Sequence, residues 1–157
     1  MQEKRGETMQ ISLHSSVGKQ RKSNQDYADY YKSDYNQYLF VLCDGVGGHQ
    51  AGEVASELTT KYLGEQFKLL TKELTKEDAS QWIGQAIEDV NTYLYEESLK
   101  NRQLEGMGTT LVVSLITNEF VLIAHVGDSR AYVFNDGELI QKTEDHSLVN
   151  ELIRSGE

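Results

Sequence analysis

Tyr38-Leu39-Phe40-Val41-Leu42-Cys43-Asp44-Gly45-Val46-Gly47-Gly48-His49-Gln50-Ala51-Gly52-Glu53 is the stretch on which the reading of this chain turns. Its first six residues are continuously apolar, as in a strand buried on both faces. A glycine-rich loop follows at 44–52. From about Glu53 the apolar spacing becomes helical, with Val54, Leu58 and Tyr62 and then Leu63, Phe67 and Leu70 on one side. A glycine loop between a buried strand and a helix admits two chemistries. As a dinucleotide loop it fails, because Gly45-x-Gly47 is followed by Gln50 where the fingerprint needs a third glycine, and no P-loop lysine follows. Asp44 would also set a negative charge against any phosphate held there. That objection disappears when a divalent cation lies between them. Asp44 then supplies a hard carboxylate and Gly45 a backbone carbonyl, oxygen ligands of the kind Mg²⁺ and Mn²⁺ take.

The same logic extends to two other carboxylates at predicted strand ends. Asp26 stands in Arg21-Lys22-Ser23-Asn24-Gln25-Asp26, and Asp128 in Val126-Gly127-Asp128-Ser129-Arg130. Arg21 adds a bidentate fork suited to a phosphate dianion. Zinc is disfavoured, because Cys43 is the one cysteine and His14, His49, His125 and His146 show no ligand spacing. Each group also has a plainer reading. The aspartates could cap helices or turns, Arg21 could belong to a solvated basic turn with Lys19 and Lys22, and Cys43 could be a small buried hydrophobe. His49 reads as orienting the glycine loop, and His14, His125 and His146 as packing or surface residues without a role.

Outward from this core, Ile11, Leu13, Ser15 and Val17 alternate with polar residues and predict a strand, and residues 27–31 a second. A second helix is predicted from about Thr75, with Asp78 three residues on in a variant of the capping box. Its stripe is Trp82, Ile83, Ala86, Ile87, Val90 and Leu94. Strands return at 109–116, 120–126 and 130–134, and Asn135-Asp136-Gly137 predicts a hairpin into 138–141. Gly108-Thr109-Thr110 reads as packing near the glycine loop rather than as a substrate contact. Leu148, Val149, Leu152 and Ile153 suggest a last helix. Runs of strands and helices segregated in this way predict an α+β sandwich.

The 157 residues suit one domain, with 15 Lys+Arg against 25 Asp+Glu for a net charge of −10. That charge argues against nucleic acid as a partner. A single cysteine favours a reducing compartment, so a cytoplasmic location is expected. No apolar run reaches the ~18–20 residues of a membrane span, and the N-terminus carries no secretory signal. Proline is absent from the sequence, where ordinary usage would give about eight, so glycine, asparagine and aspartate must make the turns. Residues 1–8 read as a disordered lead and 9–157 as the domain.

Five motifs, in order and at matching spacing, resemble those of the metal-dependent PPM (PP2C-type) protein serine/threonine phosphatases, and the bacterial members most. They are Arg21-x-x-Asn24-Gln25-Asp26, the loop from Asp44 through Gly52-Glu53-x-Ala55-Ser56, Gly106-x-Gly108-Thr109-Thr110, Gly127-Asp128-Ser129-Arg130, and Thr143-x-Asp145-His146-Ser147-Leu148-Val149. The resemblance implies a four-layer α/β/β/α sandwich with Mn²⁺ or Mg²⁺, two ions or three, at its centre. It implies that Asp44 bridges two ions and that the Gly45 carbonyl binds one. It implies that Asp26 orders metal-bound water, that Arg21 clamps the substrate phosphate and that Asp128 serves a third ion. The implied reaction is attack by a metal-activated hydroxide on phosphoserine or phosphothreonine proteins. A cognate Ser/Thr kinase is the implied partner.

Two departures accompany the resemblance. Val46 stands where many eukaryotic members carry a histidine. The two later metal aspartates, in Ser-Asp-Gly and Asp-Asn motifs, have no counterpart. The chain is therefore expected to represent the N-terminal two thirds of such a domain, with the sandwich incomplete at its C-terminus. A catalytically inactive binding module and a gene fragment without independent function are the alternatives.

Overall fold

The structure, a computed structural model, describes residues 9–48 and 50–146. The expected lead at 1–8, the role read for His49 and the suggested helix around 148–153 lie outside the described residues. Two strands, β1 (Asp26–Lys32) and β2 (Tyr38–Val46), form a hairpin and are followed by helices α1 (Ala51–Lys68) and α2 (Lys76–Lys100). A single 3₁₀ turn at Arg102–Leu104 leads into β3 (Gly108–Thr109), β4 (Leu111–Ile116) and β5 (Val121–Val126). A separate hairpin, β6 (Tyr132–Asn135) and β7 (Glu138–Gln141), ends the described fold. The main sheet runs β1-β2-β4-β5, every pair antiparallel, with the short β3 also on β2.

Both helices lie against the sheet, giving one helical layer on one β layer. Leu39, Val41 and Cys43 of β2 point into this interface with Val113 and Leu115 of β4. They meet Leu63 and Phe67 of α1, and Ala79, Ile83, Ala86 and Val90 of α2. Complete burial of a side chain such as Leu39 or Phe67 contributes about 1.5–3 kcal/mol. Asp136 and Gly137 take positive φ at 50° and 83°, the conformation of the primed turn that Asn135-Asp136-Gly137 predicts. Thr75 caps α2 by accepting the Asp78 N–H at 3.1 Å.

Three expectations are corrected. Residues 11–17 form no strand, and Leu13 and Val17 stay exposed, although β1 and β5 both present a free edge among the described residues. Strand β2 is buried on alternate residues rather than on both faces: Leu39 and Val41 are enclosed while Leu42 is 43% exposed. Helix α1 begins at Ala51 and buries Ala51, Ala55, Ser56, Thr59, Thr60 and Gly64 with Leu63 and Phe67. Val54, Leu58 and Tyr62 sit at the margin of that face. The helix needs small residues because it lies close on the sheet. A Cβ at position 64 would come within 2.1 Å of the Tyr31 ring.

A buried amide fixes one end of the layers. Gln37 Nε2 donates to the Leu74 carbonyl and Leu74 N–H donates to Gln37 Oε1, each at 3.0 Å. The hairpin loop of β1–β2 is thereby tied to the link between the helices. Tyr35 adds a hydroxyl donated to the Thr71 carbonyl. Of the four-layer sandwich, the described residues build one helical layer, one full sheet and the β6–β7 hairpin.

Candidate functional site

The pairing of β1 with β2 sets Asp26 directly opposite Asp44 at the end of the sheet. Directly paired residues on neighbouring antiparallel strands have side chains on the same face. Two carboxylates are thus brought together by register alone. Gly45 follows, its N–H donated to the Gln25 carbonyl at 2.9 Å. A Cβ on Gly45 would lie 1.9 Å from the Gly52 carbonyl oxygen, so the start of α1 can sit here only against glycine. This close approach explains the glycines at 45 and 52 without any ligand. Gly47, at φ 145°, needs its glycine for the backbone turn into the helix.

Asp128 arrives from the other side of the sheet, immediately after β5. Its field reaches Asp44, whose carboxyl is held above the usual carboxylate range. Burial is the largest cause, followed by the charge of Asp26, a hydrogen bond with Asp26, and the charge of Asp128. Arg21 acts in the opposite direction. It lines a cleft of about 490 Å³ with Lys19, Asn24, Asp26 and Asp44. A smaller hollow of about 240 Å³ meets Asp26 and Asp44 from the side of His14 and Ser129. The sequence-predicted residues Arg21, Asp26, Asp44, Gly45 and Asp128 therefore converge on one end of the sheet.

The convergence has the chemistry of a hard-cation site. Its acidic donors are carboxylates, and burial, with the charges of Asp26 and Asp128, raises the Asp44 carboxyl, a shift that a cation would oppose. Mg²⁺ characteristically binds through one or two carboxylates and keeps several waters. Asp44 and Asp26 fit that demand in kind. Among the described residues, no group of three or more His, Cys, Asp or Glu side chains is close enough to hold an ion, so the protein donor set is sparse.

Sequence reasoning missed the residues that hold Asp128 in place. Arg130 makes a two-pronged ion pair with Asp145, Nε to Oδ1 at 2.8 Å and Nη2 to Oδ2 at 2.7 Å. His146 N–H donates to the Gly127 carbonyl at 2.9 Å, and Gly127 N–H donates to His146 Nδ1 at 3.3 Å. The His125 and His146 rings stack at 4.5 Å, and His125 Nε2 donates to the Glu144 carbonyl at 2.7 Å. The two histidines read as roleless thus strap residues 143–146 to the loop carrying Asp128. Ion-pair complementarity of Arg130 and Asp145 was the available signal. Cys43 is enclosed, accepts the Thr60 hydroxyl at 3.4 Å, and has its thiol pushed up to about 11 by burial, as a small buried hydrophobe should.

Comparison with known proteins follows the same residues. The chain matches the protein phosphatase 2C family over residues 15–154. The serine/threonine phosphatase stp of Listeria welshimeri serovar 6b is 40% identical over 149 residues, which cover 95% of this chain and 59% of that protein. The serine/threonine phosphatase of S. agalactiae superposes with a TM-score of 0.86 at 37% identity, over 94% of this chain and 60% of that one. The catalytic domain of the phosphatase PstP, solved in complex with 2 manganese ions, gives a TM-score of 0.71 at 34% identity, over 88% and 56% respectively. This chain thus spans 59% of the length of the Listeria relative.

Proposed function

The chain belongs to the protein phosphatase 2C family, and on that footing we propose that it acts on phosphoserine and phosphothreonine proteins, removing the phosphoryl group by hydrolysis. The observation that carries this reading is the pairing of Asp26 with Asp44 on the floor of a cleft that Arg21 lines. A phosphate dianion needs positive charge and a divalent cation negative charge, and this cleft is lined by both. In this reading Arg21 binds two phosphate oxygens and aligns the phosphorus for attack along the line of the leaving oxygen. Asp44 and the Gly45 carbonyl would hold Mn²⁺ or Mg²⁺. Asp26 would orient water beside them, and Asp128 would serve a further ion. Such ions lower the pKa of water and offset charge on the phosphoryl oxygens. No covalent phosphoenzyme is needed, which agrees with the enclosed, poorly ionised Cys43.

Manganese is favoured by the PstP neighbour, which was solved with 2 manganese ions. A Ser/Thr kinase that makes the phosphoproteins is the expected functional counterpart, and the cytoplasm the expected place. Among the described residues no helix is long and apolar enough to cross a membrane. A second reading, binding of phosphoproteins without turnover, is favoured by the sparse donor set. Hydrolysis of a phosphothreonine peptide by the purified chain separates the two. We expect Mn²⁺-dependent release of phosphate that a chelator or Asp44→Ala abolishes. Peptide binding lost on Arg21→Ala, with no phosphate released, would replace the first reading by the second.

A further inference from the structure

We propose that Thr110 is a positioning residue that clamps the backbone of Asp44 to the loop of Asp128 and so sets the spacing of the two carboxylates. The proposal rests on the reading of those aspartates as cation-holding groups. Strands β3 and β4 break at Thr110, and at that break its backbone and side chain turn to two other segments. Toward Asp44 there are two bonds. Thr110 N–H donates to the Asp44 carbonyl at 2.9 Å, and Asp44 N–H donates to Thr110 Oγ1 at 3.0 Å. Toward Asp128 there are contacts on both of its neighbours. Thr110 Oγ1 lies 2.6 Å from Ser129 Oγ, a hydroxyl–hydroxyl bond. On the other side, a Cβ on Gly127 would come within 2.8 Å of Thr110 Cγ2.

Each atom of the side chain therefore has a task. The hydroxyl accepts from Asp44 and bonds Ser129, and the methyl seats Gly127, whose φ of 99° carries the chain past it. Oγ1 accepts the Asp44 N–H and still has a hydrogen and a second lone pair, so either hydroxyl can donate in its bond with Ser129. Serine would keep the hydroxyl and lose the methyl, and valine would do the reverse. The strap from residues 143–146 holds the Asp128 loop through Gly127 and Arg130. Thr110 joins the two aspartate segments by hydrogen bonds to each.

The test uses the full 157-residue chain with Thr110→Val, Thr110→Ser and Ser129→Ala. Two quantities are read: Mn²⁺ affinity by electron paramagnetic resonance, and amide hydrogen exchange at residues 127–130 in chelator. Groups that orient metal ligands typically change affinity by about 10–100-fold when removed. Thr110→Val and Ser129→Ala should weaken Mn²⁺ binding in that range and speed exchange at 127–130, while Thr110→Ser, which loses only the methyl, should change both by less than Thr110→Val. Should Thr110→Val not fold, Ser129→Ala cuts the same link from the other side. Wild-type exchange at 127–130 in Ser129→Ala or in a folded Thr110→Val would overturn the clamp. Asp44→Ala is the separate control. If it binds Mn²⁺ as tightly as wild type while Thr110→Val still frees the loop, the cation reading fails and the clamp between the two segments stands.

Discussion

The two faces of β2 are made from one apolar run and have different fates. On one face Leu39, Val41 and Cys43 are sealed beneath α1 and α2. On the other, Leu42 remains 43% exposed, and Tyr30 of β1 and Val121 of β5 are similarly open. Leu39 and Leu42 are the same amino acid three residues apart. What separates them is the layer laid over one side only, since among the described residues the other face has no helix against it. Burial is a property of what packs against a strand, and an apolar sequence states only what could be buried.

That comparison can be broken by mutation. Leu39→Ala should cost about 2–5 kcal/mol in urea unfolding, because the neighbouring side chains close only part of the cavity it leaves. Leu42→Ala should cost less, about 1 kcal/mol, since nearly half of its surface stays in water and no layer encloses the gap it leaves. Equal losses at the two positions would mean that a layer covers the second face in solution. Gly64→Ala tests the covered side more gently. The new methyl must displace the Tyr31 ring, at an expected cost of about 1–3 kcal/mol, seen as a lower urea midpoint at unchanged slope. No loss at all would mean that α1 stands farther from the sheet.

The parts of the fold legible in the sequence were those fixed locally. Thr75 caps α2 because its hydroxyl needs only the chain three residues on, and Asn135-Asp136-Gly137 turns because its backbone conformations are its own. Asp26 and Asp44 could be singled out at strand ends, and the register that opposes them followed once β1 and β2 were paired. What escaped depended on distant partners. Residues 11–17 alternate like a strand, yet alternation does not say which strand, if any, they pair with. The buried face of α1 hides from a search for large apolar residues, because Ala55, Thr59, Thr60 and Gly64 are what close approach to a sheet requires. Thr110, His146 and Asp145 stand in two of the motifs, but they act through bonds to residues far along the chain, and the motifs do not say which.

If the Asp44 end of the sheet holds a cation, as we propose, the ionisation of Asp44 offers a direct test. Burial, with Asp26 and Asp128 nearby, raises the Asp44 carboxyl above its ordinary value. A carboxyl raised by folding is held preferentially in its protonated form. The contribution of Asp44 to the metal-free fold therefore falls as pH rises from the ordinary carboxylate value through the raised one, and stays lower above it. Asp44→Asn removes this penalty, and its advantage in chelator should fade as pH falls into the carboxylate range. The measurement is the Tm of wild type and Asp44→Asn at neutral pH, each in chelator and in excess Mn²⁺. We expect the order to cross: Asp44→Asn the more stable in chelator, wild type gaining Tm with Mn²⁺ while the variant does not. Equal gains from Mn²⁺ in both chains, with Asp44→Asn no more stable in chelator, would contradict the account.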